Sequence, residues 1–180
     1  MITEYKKINK KHKIKYFEYI NTRGIDMEKI KKIIFFIVTL LIFIVPGFIF
    51  GMQTDFYKEI NKPVFAPPGI VFSIVWTGLY TIQAYYITKI FFDYKKTSEG
   101  KTIFWLLIIN GIANILYMPI FFILKSLFGG FIITLILVVT LVLIIYKSKI
   151  SNVKEWYLEI PYLLWSMFAL VLSISIYLMN

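Results

Sequence analysis

The chain has 180 residues, 59% of them hydrophobic and 19% aromatic, with 20 Lys and Arg against 10 Asp and Glu, a formal charge of +10 and no cysteine. A mean hydropathy of +0.74 lies far above that of a water-soluble domain, whose apolar share is about 45 to 50%, so the composition excludes a globular soluble fold and points to an integral membrane protein. Without cysteine, disulfides, thiolate nucleophiles, thiolate-ligated zinc and thiolate-held haem are excluded too.

In chain order, residues 1–26 form a basic tail apart from the membrane domain of 27–180. Lysines interleaved with Tyr16, Phe17, Tyr19 and Ile20 fit an amphipathic helix on an anionic membrane surface. A solvated tail fits as well, and so does a start at Met27, since MEKIKKIIFFIVTLL already supplies a basic flank and an apolar helix. A nucleic-acid role for the tail is the weaker reading, because the positive charge is mostly a topology signal. The apolar run that follows is too long for a cleaved signal peptide and lacks a small-residue cleavage site. The single histidine, His12, sits in the tail, which argues against histidine-based metal or catalytic chemistry.

Five runs long enough to cross a hydrocarbon core follow, at about 33–52, 69–92, 102–124, 127–146 and 158–179. They lack the period-two alternation of barrel strands, so the expected fold is all-α, an integral membrane bundle of five transmembrane helices. Lys125 and Ser126 alone separate the third and fourth runs, which predicts a tight antiparallel hairpin. Ten of the basic residues precede Ile33, three lie in 95–101 and three in 147–154, whereas the alternate joints hold Lys58 and Lys62, then Lys125. The positive-inside bias then places the N-terminus in the cytoplasm and the C-terminus outside.

Between the first two runs, Pro63, Pro67 and Pro68 stiffen the 58–68 joint, as a loop built over a pocket requires. Beyond it Phe72, Trp76, Tyr80 and Gln83 share a helix face. In the third run Asn110, Asn114 and Tyr117 share another, either as interhelical hydrogen-bonding groups or as polar contacts for a ligand. In the fifth, Tyr162, Trp165, Ala169, Leu172 and Ser173 do so, leaving room for close helix packing or for a ligand. Trp105 and Trp156, next to charged joints, read as interfacial belt residues. Lys89, Asp93, Lys125 and Glu159 are expected near helix ends in reach of water. With no ionisable group at depth and no inverted repeat, an ion-coupled transporter of the usual kind is not expected.

The stretch Phe56 to Tyr80, FYKEINKPVFAPPGIVFSIVWTGLY, resembles the signature of the TspO/MBR family of tryptophan-rich sensory and translocator proteins. Tyr57, Lys62, Pro63, Pro67, Pro68, Phe72, Val75, Trp76, Thr77, Leu79 and Tyr80 match it, while Phe56 and Phe65 stand where the family has tryptophan. Asn110 and the segment Asn114 to Phe122 are similar to a second family block, and Pro161 to Ala169 to a third. The resemblance runs from about Ile33 to Asn180. It implies that Trp76, Trp165 and Ala169 line a ligand cavity, with Tyr57 and Asn114 on further positions implicated there. The set expected around a ligand is therefore Tyr57, Phe65, Pro67, Pro68, Phe72, Trp76, Tyr80, Asn110, Asn114, Tyr117, Tyr162, Trp165 and Ala169. Phe65 keeps the ring but not the indole N–H.

Such a cavity suits a large, flat, mostly apolar molecule. The resemblance implies protoporphyrin-type tetrapyrroles and benzodiazepine-type ligands, with porphyrin as a ligand and no intrinsic cofactor or metal. Three readings follow: a receptor or translocator for porphyrins, a light- and oxygen-dependent tetrapyrrole-degrading enzyme using Trp76 and Trp165, and a stress sensor or scaffold acting through a protein partner. A sterol motif at Val142, Tyr146 and Lys149 is weak. Gly129 and Gly130 permit close helix approach, which leaves a homodimer open without specifying its face.

Overall fold

A computed structural model describes residues 27–50 and 54–180, and every regular element among them is helical. The expectations about the basic tail and His12 lie outside the described residues. The long helices are α1 (Met27–Phe50), α3 (Gly69–Lys89, continued by a π turn at Ile90–Tyr94), α4 (Ser98–Met118, continued by a π turn at Pro119–Ile123), α5 (Leu127–Ile150) and α6 (Ile160–Met179, entered through a 3₁₀ turn at Trp156–Glu159). Between α1 and α3 lies the short helix α2, Thr54–Glu59. Among the described residues, five helices are thus long and apolar enough to cross a membrane. They start or end up to six residues beyond the apolar runs, because each run is flanked by polar residues that continue the helix.

Residues 36–180 form one compact unit. Within that unit α5 packs most extensively, against α4 on one side and α6 on the other. The α4–α5 hairpin is as tight as its spacing predicts. Pro119 has no N–H to continue the ladder, the helix relaxes into a π turn, and Lys125 takes a left-handed φ of 50°. Ser126 then caps α5, its Oγ accepting from the Gly129 N–H at 3.0 Å. Gly130 is buried against the Phe121 ring, and a Cβ there would stand 2.7 Å from it. At the other end of α4, Thr97 caps the helix by accepting from Gly100 at 2.9 Å. A Cβ on Gly100 would collide with the Tyr94 carbonyl.

The outer faces are apolar. Ile109, Ile112 and Leu116 on α4, Val139 and Leu143 on α5, and Leu164, Met167 and Val171 on α6 are all exposed. In water such contiguous apolar surface would drive aggregation; in lipid it is the solvated side. Inside, a core that includes Ile103, Leu107, Phe121, Leu137, Leu141 and Ile144 also encloses polar side chains, among them Gln83, Asn110, Asn114, Thr134, Thr140, Ser148, Glu159, Ser166 and Ser173. Glu159 departs from expectation. Last residue of the 3₁₀ turn and immediately before α6, it is fully buried beside Gln83, where the sequence alone puts it in reach of water. Lys89 is half-buried and paired with Asp93 at 2.8 Å and Glu155 at 3.3 Å.

Candidate functional site

At the loop end of the bundle the aromatic side chains of four segments meet. The 58–68 joint, whose first residues belong to α2, is held in one shape by a turn in which Ala66 N–H donates to Pro63 O at 2.9 Å. Lys62 bonds the Tyr57 carbonyl and lies over the Tyr57 ring, 4.7 Å from its centroid. The joint is also tied to the last residue of the chain. Asn180 accepts from the Asn61 N–H at 2.9 Å and donates to the Asn61 carbonyl at 3.0 Å, a reciprocal clamp with no sequence signal.

Under this joint Phe72 is the central ring. Tyr57 meets it edge-on at 6.4 Å and Trp165 at 5.9 Å from the opposite element. Trp165 packs on Phe168 at 5.1 Å, and Phe65 reaches down from the loop to Phe168 at 6.3 Å. Trp76, one turn beyond Phe72, contacts Tyr80 at 5.4 Å and Tyr162 at 5.9 Å. The sequence-derived aromatics therefore fall into two neighbouring groups: Tyr57, Phe65, Phe72 and Trp165, joined through Phe168 under the loop, and Trp76, Tyr80 and Tyr162 one turn further along α3. Ala169 is buried one turn after Trp165, Pro67 is half-buried, and Pro68 is exposed at the start of α3. Tyr117 joins the first group, stacked on Phe121 at 5.4 Å, which meets Phe122 and through it Tyr57; it packs on the same core cluster as Tyr57, Phe72 and Phe168.

Within the aromatic set, three polar atoms are buried without a hydrogen-bond partner: Tyr57 Oη, Trp165 Nε1 and Ser166 Oγ. Buried polar groups are nearly always partnered, so three orphans together at one end need a reason. Two of them, on Tyr57 and Trp165, flank the same Phe72 ring. Partial burial pushes the Tyr57 phenol above its ordinary value, which keeps it a donor.

The amide face of α4 is built differently. Tyr80 Oη donates to Asn114 Oδ1 at 2.9 Å, Asn114 Nδ2 to Tyr162 Oη at 2.7 Å, and Tyr162 Oη to Asn110 Oδ1 at 3.2 Å. Asn110 Nδ2 then donates to Thr140 Oγ1 at 2.7 Å and Leu137 O at 3.2 Å. This relay joins α3, α4, α5 and α6. It engages both ends of each amide with protein, the interhelical role that the spacing of Asn110 and Asn114 left open. Thr140 escapes sequence reasoning because a threonine in an apolar helix carries no pattern. Phe168 was legible only as part of the third family block.

Trp105 is exposed, and Trp156 lies half-buried under Lys149, 5.3 Å from the ring. Of the weak sterol motif, Val142 and Tyr146 are exposed on α5. A groove of about 400 Å³ lies away from the aromatic set, at the opposite joint, among Tyr94, Glu99, Ile103 and Ser151. It holds one orphaned hydroxyl, Ser151 Oγ, but none of the expected site residues, and the aromatic end, which holds three orphaned polar atoms, is the better candidate.

Residues 35–178, the helical unit and its joints, match the TspO/MBR family profile. The chain belongs to the TspO/MBR family. Among curated proteins it is similar to the Tryptophan-rich protein TspO of Bacillus cereus, 34% identical over 155 residues that cover 86% of this chain and 99% of that one. It is similar also to the uncharacterized membrane protein YtaB of Bacillus subtilis, 31% identical over 81% of this chain and 93% of that one. The Tryptophan-rich protein TspO of Archaeoglobus fulgidus is 31% identical over 72% and 82%. With five spanning helices, this TspO/MBR member is an integral, multi-pass membrane protein. Of the two tryptophans that carry the resemblance, Trp165 stands beside Phe72 under the loop and Trp76 beside Tyr80 and Tyr162, next to the amide relay.

Proposed function

We propose that the protein is a membrane receptor or translocator that takes protoporphyrin-type tetrapyrroles, and flat aromatic ligands of the benzodiazepine type, between α3 and α6 beneath the 58–68 joint. The reading rests on one observation: Tyr57 Oη and Trp165 Nε1 are buried donors without protein partners on either side of Phe72. Aromatic edges and faces accept a flat macrocycle, and the two donors meet acceptors on its rim. Phe65 closes the site through Phe168. Family membership supports the same ligand class. The N-terminus lies in the cytoplasm and the loop outside, by the distribution of Lys and Arg. The protein works as a monomer or a homodimer in the bilayer.

The test is a titration of purified protein with protoporphyrin IX, following tryptophan quenching in the dark and porphyrin absorbance under light, for wild type and Trp165→Phe. Saturable quenching that weakens in the variant, with stable absorbance, is expected. Light-dependent loss of the porphyrin bands that needs Trp165 would make the protein a degrading enzyme instead. An absence of saturable binding would sink the pocket and leave a scaffold acting through a protein partner.

A further inference from the structure

Gln83 and Glu159 face each other inside the bundle, 1% and 0% exposed. They sit one turn from the relay on both helices: Gln83 follows Tyr80 by three residues on α3, and Glu159 precedes Tyr162 by three. No ion pair reaches Glu159 among the described residues; Lys89 is engaged by Asp93 and Glu155. A carboxylate withdrawn from water without a cation is costly unless it is hydrogen-bonded or gains a proton.

The partner it has can serve both states. With the Gln83 amide nitrogen toward Glu159, that nitrogen lies 2.8 and 2.9 Å from the two carboxylate oxygens and donates to an ionised carboxylate. With the amide turned over, its oxygen faces the same two atoms, and a proton on the carboxyl supplies the missing donor. A half-turn of one amide refits the site without moving a helix.

We propose that Glu159 and Gln83 form a proton-binding site, loaded from the polar joint and held within the bundle. The step moves one proton from water to a carboxylate oxygen, and no electrons change hands. The groups packed around it are consistent with that role. On α3 the Tyr86 phenol is within electrostatic reach and donates to Ser148 of α5 at 2.6 Å. On α6 the Tyr162 phenol is also within reach, its proton committed to Asn110. On α5 Lys149 lies over the ring of Trp156, the first residue of the turn that carries Glu159. One turn before Glu159, Glu155 stands at the joint with Lys89 and accepts from Tyr94 at 3.3 Å, giving a polar entry. The site supplies what the apolar runs seemed to lack, an ionisable group inside the protein. It does not depend on which ligand occupies the aromatic end.

The experiment is infrared spectroscopy of the full chain in lipid nanodiscs, titrated from acid to alkaline, for wild type, Glu159→Gln and Gln83→Leu. Expected is a carboxylic-acid C=O band that titrates in wild type, disappears in Glu159→Gln and changes frequency in Gln83→Leu. Identical carboxyl bands in wild type and Glu159→Gln at every pH would overturn the proposal, as would a Glu159 signal that never titrates. Should Glu159→Gln fail to fold, the Gln83→Leu spectrum decides, since an unshifted band would mean that the titrating group is not the one beside Gln83.

Discussion

The aromatic end and the amide relay lie within a turn of each other, yet they treat their polar atoms in opposite ways. Asn110, Asn114 and Tyr162 are buried and bonded at every functional end, so they hold four helices in register. Tyr57, Trp165 and Ser166 are equally shut from water and bonded to nothing. In a membrane, where the apolar surface gives helices little reason to choose one partner over another, hydrogen bonds supply much of that choice. The difference separates polar groups that build the fold from those left over for something else.

The sharpest way to break the comparison is Asn114→Ala. It removes the acceptor of Tyr80 and the donor to Tyr162 together, and should cost about 1–3 kcal/mol, read as a lower midpoint in fluorescence-detected unfolding in detergent. A loss within error would mean that the relay is not structural. Tyr162→Phe cuts the same relay at its centre and should cost about 1 kcal/mol. Combined with Asn114→Ala it should add less than the sum of the two, because both act on one bond; strict additivity would contradict the network. Trp165→Phe and Tyr57→Phe are the opposite case. Tyr57→Phe removes an unpartnered donor and keeps its ring, so its unfolding midpoint should correspond to less than about 0.5 kcal/mol of change; Trp165→Phe also trims the indole to a phenyl and should cost about 1 kcal/mol in lost packing. Protoporphyrin affinity should nevertheless fall about 2- to 10-fold for each, the worth of one hydrogen bond. A stability loss in Tyr57→Phe as large as that of Asn114→Ala would erase the distinction. Trp156→Phe, under Lys149 and outside both regions, should change neither stability nor affinity measurably in the same assays.

Much of this was legible in the residues. Helix number and class follow from apolar runs of spanning length, and the α4–α5 hairpin follows from a two-residue joint. The aromatic set was legible because Phe72, Trp76 and Tyr80 repeat at helical spacing and Tyr162 and Trp165 do so again. Pairing between helices was not. Nothing local in Gln83 or Glu159 announces that they meet across 76 positions of chain, and Glu159 at a helix start reads as a solvated end. The same holds for Thr140, whose partner Asn110 lies on a neighbouring helix, and for Asn61, whose partner is Asn180. Periodicity reports which way a side chain points and is silent on what stands opposite.

The relay also has a direction. The Thr140 hydroxyl donates to the backbone carbonyls of Ile136 and Leu137, at 2.7 and 3.0 Å, and a carbonyl can only accept. The series of bonds from Tyr80 to Thr140 is pinned at that end and cannot reverse as a unit. With the Tyr80 proton committed to Asn114, its oxygen keeps only lone pairs to offer, whereas Trp165 offers only N–H. A molecule spanning the two would have to arrive with a particular handedness of polarity, an N–H or O–H toward Tyr80 and an acceptor toward Trp165.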